Sequence, residues 1–515
     1  MANARLAAAD DFAPMSGSAL WIAGALLALA NFMVVLDTTI ANVSVPNIAG
    51  GLAVSPSQGT WVITSYAVAE AVTVPLTGWL ATRFGAVRVF VAAMIGFGLF
   101  SALCGLAPSL GALVVCRIGQ GLMGGPMMPL SQTLLRRIFP PQQQAAALGL
   151  WSMTTVVGPI AGPLLGGAIC DSIGWSWVFY INVPIAAVAG FFSWRMLVRA
   201  ETRTQRVPVD FIGLGLLITW IGAMQIMLDK GKDLDWFASP FIVTLAVIAV
   251  VGFASFVIWE MTEEHPVVDL RIFRHRGFAT STVIMSLAFG AFFSSVVLIP
   301  LWLQTNMGYT AAWAGRVMAF QGVLAVVMSP IAAKLMNKVD PRALVSFGIL
   351  VLASVTLWRS FFAVNIGFWG LAAPQLAMGF GMPFFFVPLT GLALGAVLPQ
   401  ETASAAGLMN FMRTTAGAFG TSLTTTAWEN LASARHADIS GVMNAPQQTL
   451  DLFQTLGFNA DQALQQLDGL VQGQAVMLAT DKVFAICALV FCVASLSVWM
   501  APKPRGPVDL SAGGH

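Results

Sequence analysis

Two carboxylates, Asp37 and Glu70, lie inside long apolar stretches of a 515-residue chain whose other acidic residues fall between such stretches or at their ends. Three guanidinium groups, Arg117, Arg316 and Arg413, share that setting. An ionised side chain in hydrocarbon is expensive and marks an ion, proton or substrate pathway. A carboxylate lowers that cost by taking up a proton, so acids at such depth suit reversible proton binding. A guanidinium stays charged and needs carbonyl oxygens, water or an anion instead. These residue types point to proton-linked chemistry. A membrane-bound enzyme or an ATP-driven machine finds no support, because no Gly-rich phosphate loop, metal-ligand cluster or nucleophile–base constellation stands out. The five cysteines lack metal-ligand or disulfide spacing, and the four histidines fall in expected loops or the tail, which argues against a histidine relay.

Long apolar elements must position these charges. The chain is 57% hydrophobic and 9% charged, with a mean hydropathy of +0.80, whereas a soluble domain carries about 25% charge. An all-α integral membrane protein is expected. No cleavable signal peptide is apparent: the first 18 residues hold Arg5, Asp10 and Asp11 and no apolar core. Fourteen runs of spanning length follow, near 19–45, 58–80, 88–107, 109–134, 143–169, 176–198, 209–229, 240–260, 277–304, 309–335, 342–361, 366–398, 401–427 and 477–500. With the N-terminus inside, 17 lysines and arginines face the cytoplasm, while only Lys230, Lys232, Arg359, Arg435 and Lys482 face outward. By the positive-inside rule both termini are cytoplasmic.

An internal repeat organises the runs. PQQQAAALGL at Pro141–Leu150 resembles PQETASAAGL at Pro399–Leu408, an offset of 258 residues that also maps Gly121 onto Gly379 and Arg117 onto Gln375. An offset of 259 maps Pro129–Leu130 onto Pro388–Leu389. Parallel repeats are a transporter construction with the binding site at their interface. Two six-run halves, 19–200 and 266–500, are expected, with an inserted pair of runs at 201–265, tails at 1–18 and 501–515, and an aqueous outer segment at 428–476. Embedded acids occur only in the first half, so proton chemistry is expected there.

Depth connects the charges. Asp37 and Arg117 each lie about eight residues, or roughly 12 Å, from the outer ends of runs 1 and 4, so they can pair. Glu70 sits a turn deeper in run 2. Each acid is open to two readings, a proton site or a structural hydrogen-bonding group. Arg316 and Arg413 either bond to groups such as Asn410 or Gln321, or favour neutral and weakly acidic ligands. Glu70, Arg316, Gln375, Asn410 and Arg413 make up the candidate cavity, and 24 methionines suit adaptable walls.

Run 5 carries VVGPIAGPLLGG, with Gly158, Pro159, Gly162, Pro163, Gly166 and Gly167 on adjacent turns. Glycines let helices approach closely, and prolines remove backbone donors and kink the helix. With these motifs the chain resembles a major facilitator superfamily transporter of the 14-helix drug:proton antiporter branch, the EmrB/QacA type. LDTTIANVSVP at Leu36–Pro46, RIGQG at Arg117–Gly121 and GPIAGPLLGG at Gly158–Gly167 resemble its motifs, and WSWVFYINVP at Trp175–Pro184 and VDFIGLGLL at Val209–Leu217 look characteristic of the branch. The resemblance implies a major facilitator fold with 14 transmembrane helices in the bacterial inner membrane. It implies that Asp37 couples protons, that Arg117 transfers them or sets the acid's affinity, and that the run 5 motif controls leak and the direction of exchange. GWLATRFGAVR at Gly78–Arg88 resembles the cytoplasmic gating loop and keeps Gly78, Arg83, Gly85 and Arg88. Thr82 and Val87 stand where an aspartate and a basic residue are usual, which puts the gate's charge network in doubt.

Proton-coupled efflux of hydrophobic compounds by alternating access is therefore expected, driven by the proton gradient without a cofactor or metal. The resemblance further implies a tripartite pump, with a periplasmic adaptor and an outer-membrane channel as partners. A dedicated metabolite or siderophore exporter, or an uptake symporter, remains open on the same fold.

Overall fold

A computed structural model describes residues 15–502 apart from 337, 444 and 445, without side chains at 56, 57, 156, 159, 160, 163, 171, 311 and 312. The tail residues Arg5, Lys503, Arg505 and His515, and the side chains of Pro159 and Pro163, lie outside the described set. The described residues form helices, turns and bends with no strand.

Helical backbone occupies every one of the fourteen runs. The helices are α1 (Gly17–Gly51), α2 (Trp61–Thr73, continued by Thr77–Phe84), α3 (Ala86–Gly105), α4 (Leu110–Ile138), α5 (Pro141–Ser172), α6 (Asn182–Leu197), α7 (Phe211–Lys230) and α8 (Pro240–Thr262). They continue with α9 (Arg276–Thr305), α10 (Ala311–Met336), α11 (Pro341–Arg359), α12 (Phe368–Gly395), α13 (Thr402–Val442) and α14 (Ala460–Ser497). Local chemistry sets the starts. Ser109, Asp210 and Asp340 cap α4, α7 and α11 through backbone N–H groups, and proline opens α5, α8 and α11. Among the described residues, ten helices are long and apolar enough to cross a membrane, so the chain is a multi-pass membrane protein. Outside that set are α2, broken at 74–76, the more polar α4 and α13, and α5, several of whose side chains lie outside the described residues.

Packing repeats with the sequence. In one half α1 lies on α5, α2 on α4, and α3 on α4 and α6; in the other α9 lies on α13, α10 on α12, and α11 on α12 and α14. Gly121 and Gly379, matched by the repeat, mark equivalent close approaches. A Cβ on Gly121 would meet the Tyr66 carbonyl at 2.5 Å, and one on Gly379 would collide with the Gln321 carbonyl. Each half has its own apolar core. A third core joins α7 and α8 to α2 and α13.

The halves touch most closely at the end of the bundle that carries the α2–α3, α4–α5 and α12–α13 turns, hereafter the arginine-rich end. There a Cβ on Gly407 would lie 2.8 Å from the Val74 carbonyl, and Asn410 donates to Gln132 Oε1 at 2.7 Å. At the opposite end α13 and α14 run further than hydropathy indicates. At 1.5 Å per residue, the 41 residues of α13 make about 62 Å, against a hydrocarbon layer of about 30 Å. Trp428, just past the end of the expected run, stays buried and donates to Thr480 Oγ1 at 2.8 Å. Polar residues such as Glu429 and Arg435 end the hydropathy signal but not the helix. Residues 428–476 thus hold two helical extensions joined by the short helix Pro446–Thr455, and His436, expected in a loop, sits on α13 beside Asp468 at 2.8 Å.

Candidate functional site

Asp37 and Arg117 meet in the buried interior of the first half. Arg117 Nη1 donates to Asp37 Oδ2 at 2.6 Å, with Asp37 1% and Arg117 0% exposed. Gln120 and Asn182 donate to Asp37 Oδ1 at 3.0 and 2.8 Å. All three partners are donors, an arrangement that satisfies an ionised carboxylate. The guanidinium is satisfied in turn by the Val62 carbonyl at 3.0 Å and Gln120 Oε1 at 2.8 Å, and it lies 4.2 Å from the centre of the Tyr66 ring. Ser101 accepts from both amides, at 3.2 and 3.1 Å, and closes the network by donating to the Phe179 carbonyl at 2.8 Å. Two of these partners sit within stretches already singled out: Gln120 in RIGQG and Asn182 in WSWVFYINVP. Ser101 belongs to no such stretch, and nothing in its sequence neighbourhood marks it.

Beside this network lies a cavity of about 240 Å³ between the halves. Val34, Val35, Thr38 and Thr39 of α1 face it, one turn or less from Asp37. Its apolar wall comes mainly from Phe289, Phe292, Phe293, Val296 and Met318. Glu70 and Arg413 both line it. Among the described residues no hydrogen bond or ion pair engages the Glu70 carboxylate. Arg413, 2% exposed, lies 5.2 and 5.8 Å from the Phe289 and Trp151 ring centres and points a donor at Met128 Sδ. Neither Asn410 nor Gln321 pairs with an embedded arginine. Asn410 is spent on Gln132, and Gln321 faces the cavity.

Three of the candidate cavity residues lie elsewhere. Arg316 is exposed on the outside of α10, 4.6 Å from the Trp313 ring centre; depth along a run leaves open which face of the helix a residue takes. Gln375 is buried in the second half, where its Oε1 accepts from Arg359 Nη2 at 2.8 Å. Asn410 is buried in the contact between the halves. Arg359, expected among the outer charges, is only 1% exposed and also donates to Ser295 Oγ at 3.4 Å. The offset of 258 residues maps Asp37, Ser101 and Arg117 onto Ser295, Arg359 and Gln375. The second half keeps the polar cluster but replaces the acid with serine and moves the cation by one helix.

The run 5 glycines work as contact points. A Cβ on Gly158 would lie 2.5 Å from Val35 Cγ1, and one on Gly162 would lie 3.0 Å from the Thr39 carbonyl carbon. The Thr39 hydroxyl also donates to the Gly158 carbonyl at 3.2 Å. α5 therefore grips α1 along the stretch that separates Asp37 from the cavity. A Cβ on Gly166 would rest in ordinary contact, 3.4 Å from the Ile40 carbonyl, whereas one on Gly167 would meet open space.

At the arginine-rich end an acid from a different segment occupies the α2–α3 turn. Glu201, from the α6–α7 connection, accepts from the N–H groups of Val87 and Arg88 at 2.9 and 3.0 Å. It sits where a Cβ on Gly85 (φ +94°) would lie, 2.6 Å away. The first turn of α3 thus receives a carboxylate on its orphan donors, the favourable end of the helix dipole. Its ion pair with the exposed Arg88 side chain, at 3.9 Å, adds little. Thr82 bonds its own helix at the Gly78 carbonyl, and Arg83 donates to the Val207 carbonyl. Glu201→Ala is expected to destabilise this corner by about 1–2 kcal/mol, the value of a cap plus a dipole charge. A thermal unfolding midpoint equal to that of the unsubstituted protein would remove Glu201 from this role.

Residues 27–421 match the family model described as Major Facilitator Superfamily. The chain is 43% identical to the multidrug export protein EmrB of Escherichia coli (strain K12), over 98% of this chain and 99% of that one. It is 42% identical to the fatty acid resistance protein FarB of Neisseria gonorrhoeae, over 98% of this chain and 100% of that one. The structure superposes on the crystal structure of the human organic anion transporter MFSD10 with a TM-score of 0.55 and 13% identity, covering 92% of this chain and 98% of that one, a likeness of fold.

Proposed function

The chain belongs to the Major Facilitator Superfamily, and from that premise we propose that it is a proton-coupled exporter of hydrophobic small molecules, acting by alternating access in the bacterial inner membrane. The observation that carries this reading is the adjacency of a buried acid–base pair to an apolar cavity along a single helix, α1. The names of its relatives support breadth of substrate, one of them being called a multidrug export protein. The arginine-rich end faces the cytoplasm in this reading, with both termini on that side, and the proton gradient drives exchange without a resident cofactor.

The geometry suggests how a proton and a substrate exclude each other. With Asp37 ionised, three donors from α4 and α6 hold α1 in place. A proton on Asp37 turns one acceptor into a donor facing other donors and weakens that hold. α1 is then free to shift, and it carries Val34, Val35 and Thr38 of the cavity wall with it. Substrate affinity is thereby tied to the protonation of a residue the substrate never touches. The glycine contacts of α5 keep that motion along α1 and limit leak.

Transport in proteoliposomes under an imposed pH gradient, with a panel of compounds, tests the proposal. Uphill movement that stops when the gradient is dissipated is expected, and no movement of any compound beside a working control overturns it. Glu70→Gln removes the one cavity carboxylate and is expected to change pH dependence or substrate range, with shifts of about tenfold for a lost charged hydrogen bond. Unchanged transport of several substrates across pH would take Glu70 out of the site. Arg413 favours a narrower second reading, export of amphiphilic acids, which the name of FarB also fits; a panel moved only as weak acids would select it.

The extensions of α13 and α14 supply a dock for a periplasmic adaptor leading to an outer-membrane channel. Leu464 is exposed on the α14 extension together with Leu470, Leu452 on the helix between, and Leu456 in the turn that follows it.

A further inference from the structure

We propose that Gln225 of the inserted helix α7 is a substrate-reading residue of the central cavity, so that the inserted pair forms part of the transport site rather than a spacer. The inference rests on the export reading above and adds a determinant of which compounds are taken.

Every other residue lining the cavity belongs to one of the two halves, whereas Gln225 reaches it from α7. The way in is a seam between α2 and α13. Where these helices face the cavity beside α7 they offer Ala67 and Ala71 on one side and Gly417 and Ala418 on the other. Such small side chains leave the seam unfilled, and a longer one from behind can pass between them. α7 is held firmly enough to place it. One turn earlier α7 lies against α2, where a Cβ on Gly222 would rest 3.9 Å from Val68 Cγ1, and Trp220 packs edge-on against Phe411 of α13 at 5.8 Å between centres. Towards the opposite end, Asp229 accepts from Thr64 and Lys230 donates to Thr60 at 2.5 Å, both near or on α2. The Leu228 carbonyl accepts from Ser422 of α13 at 2.9 Å, and Lys232 pairs with Glu429 at 2.6 Å.

The chemistry of the side chain completes the case. α7 is long and apolar enough to cross a membrane, and an amide in its middle is costly unless it meets a polar partner. Among the described residues none bonds to the Gln225 side chain. An amide offers a donor and an acceptor together, so it discriminates by hydrogen bonding without adding charge. The ligand class it selects is a hydrophobic compound with an uncharged carbonyl, hydroxyl or amide group on the side facing α7. A site built to hydrogen-bond such a group rejects an analogue that lacks it.

The test uses two transported compounds matched in size and hydrophobicity, one with a carbonyl or amide group and one without. In proteoliposomes Gln225→Leu is expected to raise KM for the first by roughly three- to tenfold, the effect of one hydrogen bond, and to leave the second unchanged. Equal KM values for wild type and variant, or an equal loss for both compounds, overturns the assignment. A second measurement places a cysteine at the position, Gln225→Cys, in a chain whose Cys104, Cys116, Cys170, Cys487 and Cys492 are replaced by serine or alanine. A small thiol reagent is expected to label it, and a saturating cavity compound to slow labelling at least about threefold, which requires occupancy above two-thirds; unprotected labelling overturns the assignment. Wild-type protein that binds a compound but moves none under a pH gradient overturns the export reading alone, and thiol protection then decides the place of Gln225.

Discussion

Asp37→Asn is expected to abolish gradient-driven export while substrate still binds. The substitution keeps shape and volume but puts an amide where three donors converge. If its oxygen stays on Oδ1's partners, Gln120 and Asn182, its NH₂ faces the Arg117 guanidinium. If it flips, the NH₂ faces the two amides. Either way one donor opposes others, and Arg117 loses the sole carboxylate paired with it among the described residues. Breaking a buried pair from one side costs about 3–5 kcal/mol, a population shift of roughly 100-fold to several thousand-fold. Removal of the only titrating oxygen pair in the network then leaves nothing for the gradient to act on. Asp37 does not line the cavity, so substrate should still bind, with an affinity fixed at that of the protonated wild type and no longer dependent on pH. The double variant Asp37→Asn, Arg117→Gln removes the stranded charge and should recover thermal stability without recovering uphill transport. Uphill export by Asp37→Asn at the wild-type rate would exclude Asp37 as the proton carrier.

Sequence conveys some of this geometry and hides the rest, for physical reasons. Helix rise is constant, so residue number converts to depth, and that conversion brings Asp37 and Arg117 to one level without knowledge of any contact. Azimuth is less legible. Arg316 and Arg413 look alike in apolar runs, yet one faces outward over Trp313 and the other faces the cavity. Hydropathy marks lipid contact, not helix length, so it ends run 13 at residue 427 while buried Trp428 carries α13 onward. The α2–α3 turn, read by its own residues, lacks an acid that Glu201 brings from over a hundred residues away. Arg359 looks like an outer charge because it ends its run. Its burial makes sense only beside the repeat, which sets it where Ser101 stands in the first half.

The second large effect is expected at the gate, from Gly78→Val. Gly78 lies on the continuation of α2, where the two halves meet at the arginine-rich end. A Cβ there would collide with the Ser404 side chain and lie 2.7 Å from Ser404 Cα on α13. A side chain can rotate away, but a backbone atom at that distance can yield only if the helices part. Neighbouring residues resist parting, since Gly407 makes the reciprocal approach to the Val74 carbonyl. Overpacking costs about 1–3 kcal/mol, and here the whole penalty falls on the state in which this end is closed. The fold itself is spared, because each half keeps its own core. A bias of that size shifts the two-state equilibrium by roughly 5- to 150-fold, enough to hold most of the protein open at this end and slow the cycle. Spin labels at Phe84 and Gln400, both exposed and on opposite halves, should report a longer distance in the variant, with export slowed. Ser404→Gly in the same chain removes the side-chain collision but leaves the clash with the α13 backbone, so it should restore only part of the closed population. Unchanged distances together with wild-type export would show that closure at this end does not pass through Gly78.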